Sequence, residues 1–201
     1  MVTVIKQDDV IDSVADALQF ISYYHPLDFI QAVHQAYERE ANPAAKDAMA
    51  QILINSRMCA EGHRPICQDT GIVSAFVTVG MNVQFEATMG LEEMINEGVR
   101  RAYNHPDNLL RASILADPDG ARKNTGDNTP AVINYKIVPG NTVDIHVAAK
   151  GGGSEAKSKF AMLNPSDSVV DWVLSVLVCG SRRNIMYVGE RGIVSWRRSG
   201  L

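Results

Sequence analysis

Arg64-Pro65-Ile66-Cys67-Gln68-Asp69-Thr70-Gly71 gathers a thiol, an amide, a carboxylate and a hydroxyl into one short loop ahead of a β-branched run. Such a loop can offer a thiolate to a metal and hold an acid or base beside whatever binds there. Pro65 stiffens its entry, and Gly71 permits a tight turn at its exit. The same residues also suit a plain turn, with Asp69 and Thr70 bonding backbone amides and Cys67 filling a small space in the core.

Lys150-Gly151-Gly152-Gly153-Ser154 is a second candidate, between a strand pattern and a helix-like stretch from Glu155 to Leu163. Successive glycines expose backbone amides, and a lysine beside a helix N-terminus favours a carboxylate or a phosphate. No Gly-Lys-Ser/Thr follows at Walker spacing, and a flexible connection is the simpler reading. Among the cations, Arg100, Arg101 and Arg111 are best placed to grip a carboxylate through the planar guanidinium fork. Arg111 interrupts the apolar run Leu109 to Leu115, so its burial would require an anionic partner.

Cys59, His63 and Cys67 are evenly spaced metal-ligand types, but zinc usually takes four ligands at paired short spacings and no fourth is local. Cys59 therefore reads as a buried thiol near a helix end. His25, His34, His105 and His146 form no constellation.

These residues need a scaffold. Val10, Ile11, Val14, Ala17, Leu18 and Ile21 recur at helical spacing behind Asp8 and Asp9, which can cap the start. His25-Pro26 and Asn42-Pro43 punctuate two further helices, the latter with Ala45, Ala48, Met49, Ile52, Leu53 and Ser56 as a buried stripe stopped near Gly62. Ile72 to Val79 reads as a buried strand. Leu91, Met94, Ile95, Val99 and Ala102 mark a helix ended by His105-Pro106. A polar loop from Ala116 to Pro130 precedes two alternating runs, 131–138 and 143–149, joined by Pro139-Gly140-Asn141. That pattern predicts a hairpin near 131–149. Asn164-Pro165-Ser166-Asp167 then caps a helix through Leu174. N-terminal helices followed by a mixed, partly antiparallel sheet predict an α+β fold.

The 201 residues are 46% hydrophobic and 21% charged, which excludes disorder and suits one medium domain. A net charge of −4 gives no case for a nucleic-acid partner. No apolar run approaches the roughly 20 residues of a membrane span, and the N-terminus has no secretory pattern. Three cysteines make no disulfide framework, so the expected compartment is the cytoplasm.

Taken together and in order, Arg64–Gly71, Asn124-Thr-Gly-Asp-Asn-Thr-Pro130, Ala149-Lys-Gly-Gly-Gly-Ser154 and Met162-Leu-Asn-Pro-Ser-Asp167 closely resemble class I fumarate hydratases. These are iron–sulfur hydro-lyases related to the α-type subunit of tartrate dehydratase. The resemblance covers residues 1 to about 174, the N-terminal α+β catalytic domain. It implies reversible hydration of fumarate to (S)-malate in the tricarboxylic acid cycle, and a homodimer in the full-length family. It also implies a 4Fe-4S cluster on three cysteine thiolates with one iron left open as a Lewis acid. By the same match, Cys67 is a metal ligand and Gln68 and Asp69 are substrate contacts, with Asp69 the acid or base. Arg111, Lys150, Gly151, Gly152 and Gly153 match positions that hold the substrate carboxylates. The other two thiolates are expected in a C-terminal part that this chain lacks, so the fragment is expected to be incompetent alone. L-tartrate dehydratase α-type is the rival enzyme, and a non-catalytic anion-binding module is the rival of another class.

Residues 175–201 depart from this pattern. They hold five arginines (182, 183, 191, 197, 198), no lysine and one acid, Glu190, a net +4. Because the whole chain is −4, residues 1–174 carry −8. The segment reads as a divergent basic tail, expected to stem from a reading-frame change or a misannotated end.

Overall fold

The computed structural model describes residues 2–67, 71–151, 160–180 and 194–199, with 176–180 and 194–199 followed as backbone. The order is β1 (Thr3–Lys6), α1 (Gln7–Tyr23), α2 (Leu27–Arg39), α3 (Pro43–Gly62), β2 (Ile72–Gly80), β3 (Val83–Glu86) and α4 (Leu91–Tyr103). It continues with β4 (Leu115–Ala116), β5 (Lys123–Asn124), β6 (Val132–Val138), β7 (Thr142–Lys150), α5 (Val169–Gly180) and β8 (Val194–Ser199). The class is α+β, as the sequence predicts.

The core forms where three apolar patterns meet. All six predicted stripe residues of α1 are buried, and the Asp9 carboxylate accepts the Lys6 amide at its start. Met94, Ile95, Val99, Ala102 and Tyr103 of α4 are buried against α1, and both helices cover one face of the sheet. A Cβ on Gly98 would lie 2.7 Å from the Val14 Cβ, so only glycine permits this approach of the two helices. Beneath them, Val73, Ala75 and Val77 of β2 and Val143, Ile145, Val147 and Ala149 of β7 point inward in strict alternation. Full burial of each valine or isoleucine among them contributes about 1.5–3 kcal/mol. Among the described residues nothing fully covers the opposite face, and Phe76 is half exposed there. β2 is thus buried on one face rather than throughout.

The expected hairpin requires correction. The sheet order is β6-β2-β7-β8, so β6 and β7 are joined by the Pro139–Asn141 turn yet are not neighbours. β2 lies between them, parallel to β6 (Ala75↔Ile133) and antiparallel to β7 (Ala75↔Val147). The turn arches over the end of β2, where the Met81 amide donates to Val138 O at 2.9 Å and the Asn82 amide to Gly140 O at 2.8 Å. A three-residue connection spans one strand spacing or two, so local alternation cannot register the insertion.

Two short parallel strands, β1 and β3, and the two-residue pair β4–β5 inside the polar loop are further elements that the patterns do not announce. A buried polar network locks the chain leaving α4 onto α1. Gln19 Nε2 donates to Ala102 O (2.6 Å) and Asn108 O (3.1 Å), and Asn108 Nδ2 donates to Gln19 Oε1 (2.7 Å) and Ser22 Oγ (3.2 Å).

The stripe expected along α3 is a second correction. Of its residues only Ser56 is buried, joined by Cys59, and α2 buries none. The pattern is amphipathic, but what lies against it is α2, the end of α1 and the Pro65–Ile66 segment, which leave most of the stripe uncovered. At the other end of the domain, the Ser168 hydroxyl accepts the Asp171 amide at the start of α5, while Asp167 holds the preceding turn through Asn164. α5 runs past Leu174 to Gly180, and β8 lies antiparallel beside β7 with Val147 opposite Val194. The basic segment thus contains a strand from Val194 to Ser199.

Candidate active site at one end of the sheet

β2 begins at Ile72, which pairs with Lys150, the last residue of β7. The two candidate loops therefore leave the sheet side by side. Gly71 has φ +56°, and a Cβ there would fall 1.4 Å from Lys150 O and 2.7 Å from the Gly151 Cα. Only glycine can occupy this crossing. Gly151 is buried and Lys150 is exposed.

Two more segments reach the same point. Asn128, fully buried and left-handed (φ 61°), donates from Nδ2 to Gly71 O at 2.9 Å. Its Oδ1 accepts the Ser113 amide at 2.8 Å, and Ser113 Oγ lies 3.4 Å from both Gly71 O and Asn128 Oδ1. Ser113 follows Arg111 by two residues, so the Arg111 segment, the 124–130 turn, Gly71 and the Lys150–Gly151 strand end share one small region.

The turn is held from behind by α4. Arg100 bonds Glu97 and, at 3.1 Å, Asp127, whose carboxylate also takes the Thr129 amide (3.0 Å) and hydroxyl (2.7 Å). Asn96 Oδ1 accepts the Ala131 amide at 2.9 Å. Burial alone would raise the Asp127 carboxyl, but the Thr129 donors and the Arg100 guanidinium hold it below the ordinary carboxylate value. Glu97 is likewise drawn down, against burial, by Arg100 and Arg101. Arg101 pairs with Asp12 and Glu97. Arg100 and Arg101 thus serve internal ion pairs rather than a substrate carboxylate.

Arg111 is exposed, on an irregular surface segment from Leu109 to Ile114 in which only Leu110 is well buried. Cys67 is exposed and in no disulfide, which removes the reading of a core filler. Its loop is tethered just before it: the Ile66 amide donates to Ser22 O at 2.8 Å, and Asn55 Nδ2 reaches Ile66 O at 3.3 Å. Cys59 is buried against Asn55 and Pro65 O, and burial pushes its thiol up. His63 stacks on Tyr23 at 4.7 Å. Cys59 and His63 are therefore engaged elsewhere than with Cys67. Gln68, Asp69, Gly152 and Gly153 lie outside the described residues, as does most of the helix expected from Glu155. Its last part, from Phe160, is not helical. A shallow cleft of about 470 Å3, lined by Val79, Gly80, Met81, Leu91, Tyr135 and Ile137, lies at the opposite end of β2 and contains none of the predicted site residues.

A family model described as Fumarate hydratase (Fumerase) matches residues 11–181. The chain belongs to the fumarate hydratase (Fumerase) family. A Methanocaldococcus jannaschii protein provisionally named L(+)-tartrate dehydratase subunit alpha is 30% identical over 79% of the chain. The anaerobic class I fumarate hydratase of Escherichia coli K12 is 37% identical over 61% of it. The L(+)-tartrate dehydratase subunit alpha of Escherichia coli UTI89 is 29% identical over 77% of it. The chain spans 56%, 22% and 50% of these three relatives' own lengths.

Membership makes this a hydro-lyase family of fumarate hydratase and tartrate dehydratase type, and the family match continues past Leu174 to residue 181. Among the described residues, no three His, Cys, Asp or Glu side chains form a metal-binding group, and no helix is long and apolar enough to cross a membrane. Exposed and in no disulfide, Cys67 has the chemistry of one thiolate ligand. The described residues by themselves do not supply the set of three.

The Asn128 junction is the part of this site that residue types do not reveal. Its signal was a Gly-Asp-Asn-Thr-Pro turn, since asparagine tolerates the left-handed region, but the turn says nothing about which distant carbonyl and amide the side chain meets.

Proposed function

We propose that the chain is the N-terminal catalytic part of a class I hydro-lyase that adds water reversibly across the double bond of fumarate, giving (S)-malate. Residues 1–174 form the catalytic domain in this reading, and residues 175–201 are a divergent basic tail that continues α5 and adds β8 to the sheet. The observation that carries it is the meeting of the Gly71, Ser113, Asn128 and Lys150 segments at one sheet end, within a stretch matched by the fumarate hydratase family. The exposed Arg111 guanidinium and Lys150 ammonium, with the amides of Gly151, Gly152 and Gly153, bind the two carboxylates and orient the substrate. Gln68 contacts the substrate, and Asp69 moves the carbon-bound proton as acid or base. Cys67 is one thiolate ligand of a 4Fe-4S cluster, with the other two thiolates supplied beyond this segment. When bound, the cluster supplies a Lewis acid for the hydroxyl group. The complete protein is a cytoplasmic homodimer.

The names of the two tartrate dehydratase relatives support L(+)-tartrate as the alternative substrate. Offering both acids to the protein completed with its C-terminal part and reconstituted without oxygen separates the two readings. In that protein, Cys67→Ser should lose bound iron and turnover together, because a neutral hydroxyl is a poor ligand where a thiolate is needed. Asp69→Asn should keep its iron and lose about 100- to 10,000-fold in rate. Full iron in Cys67→Ser removes Cys67 from the ligand set, and normal turnover in Asp69→Asn removes its acid–base role. Absence of iron and sulfide after reconstitution of the unaltered protein would favour a non-catalytic anion-binding module.

A further inference from the structure

Asn128 uses both ends of its amide, and each end meets a different segment of the site. Nδ2 donates to Gly71 O, at the exit of the loop that carries Cys67, Gln68 and Asp69. Oδ1 accepts the Ser113 amide, and with it fixes the segment that carries Arg111. Gly71 cannot shift towards β7, because its Cα already abuts the Lys150 carbonyl. The residue itself is fixed from α4, through Asp127 to Arg100 on one side and Ala131 to Asn96 on the other.

The packed centre of the domain does not depend on this amide. α1, α4, β2 and β7 interlock through apolar side chains and the Gln19–Asn108 network, away from Asn128. What Asn128 joins are the two segments to which opposite tasks have been assigned, proton transfer on one and carboxylate binding on the other.

We infer that Asn128 is a positioning residue, holding Gly71, where the Cys67 loop joins β2, against the Arg111 segment so that the groups assigned to the two segments address the same small dicarboxylate. This inference rests on the hydro-lyase reading for the tasks of the two segments, and on the observed hydrogen bonds for their coupling. Losing a buried amide that makes three hydrogen bonds should release both segments at once.

The test is NMR of the 201-residue chain, comparing unaltered protein with Asn128→Gly, which removes the side chain and tolerates positive φ. Hydrogen exchange of the Ser113 amide reads one bond, and the 13C shift of the Gly71 carbonyl reads the other. Ser113 should lose protection roughly ten- to a hundredfold and the Gly71 carbonyl should move to the shift of an unbonded oxygen, while α4 and β7 amides stay unchanged. A change in only one segment, or none, overturns the coupling. Equal loss of protection in α4 and β7 overturns it too, since Asn128 would then be a residue of the whole fold. Should Asn128→Gly not fold, the unaltered chain in rising urea decides. The two signals must then change together, ahead of the core, and separate changes defeat the inference. Adding succinate, an unreactive four-carbon dicarboxylate, tests the reading beneath it. If the two signals are coupled but succinate moves neither, Asn128 remains the link while the assignment of the segments to dicarboxylate chemistry fails.

Discussion

α3 is a helix of 20 residues and α4 one of 13, yet α4 buries seven of its residues and α3 two. Both carry apolar residues at helical spacing, so the difference does not lie in the pattern. α4 faces α1 and the sheet, and each buried side chain on it meets another. α3 meets α2, the end of α1 and the Pro65–Ile66 segment, and its Ile52, Ile54 and Met58 remain exposed. Amphipathic spacing states which face seeks a partner. Only the rest of the fold decides whether one is there.

The largest effect that should distinguish the two helices is Ile95→Ala. Ile95 is fully buried between α4 and the core, and truncation should cost about 2–5 kcal/mol of unfolding free energy in urea. An effect below 0.5 kcal/mol would place the core elsewhere.

Asp127→Asn should give an intermediate loss that depends on pH. The native carboxyl is held below its ordinary value, so its contribution is complete above the ordinary carboxylate range. It disappears as pH falls through the depressed native value. The stability gap between the unaltered protein and Asp127→Asn should therefore close on acidification, and a gap independent of pH contradicts the ion-pair account.

Asn42→Ala should cost about 1 kcal/mol, because the Asn42 side chain caps α3 by accepting the Ala44 and Ala45 amides. Exchange in α3 should rise with α4 unaffected. If α4 responds equally, α2 and α3 belong to the same cooperative unit as the core, and the contrast between the helices fails. Smallest of all, Ile54→Ser should change global stability by no more than about 0.5 kcal/mol.

Elements with a full partner set were legible in advance. The α1 stripe, the α4 stripe and the inward alternation of β7 follow from 3.6- and two-residue periods that the packing then uses. The strand inserted between β6 and β7 was not legible, since local alternation is the same whichever strand lies alongside. Nor were β1 and β3, four residues each, too short for a period to emerge. For the site, Cys67, Arg111 and Lys150 were picked out by type and neighbours, and Lys150 and the Arg111 segment do converge on Gly71. Whether Arg111 is buried was left open by its apolar neighbours, and the chain there lies irregularly on the surface with Arg111 exposed. Asn128 stayed invisible because its role depends on a carbonyl and an amide, which every residue possesses.

The order β6-β2-β7 has a consequence for the time the chain takes to fold. The Pro139–Asn141 turn cannot seed a hairpin that zips locally, because the strands it joins both pair with a strand made much earlier in the chain. Registers such as Ile72 with Lys150 and Ser74 with Val132 must be found across long intervening segments, α4 among them. Loop-closure entropy is then paid before any ladder forms, which slows folding relative to a sheet of the same size built from adjacent strands. β2 is the strand on which assembly of the sheet waits, and substitutions along Val73, Ala75 and Val77 should slow refolding more than equal losses of stability placed in α3.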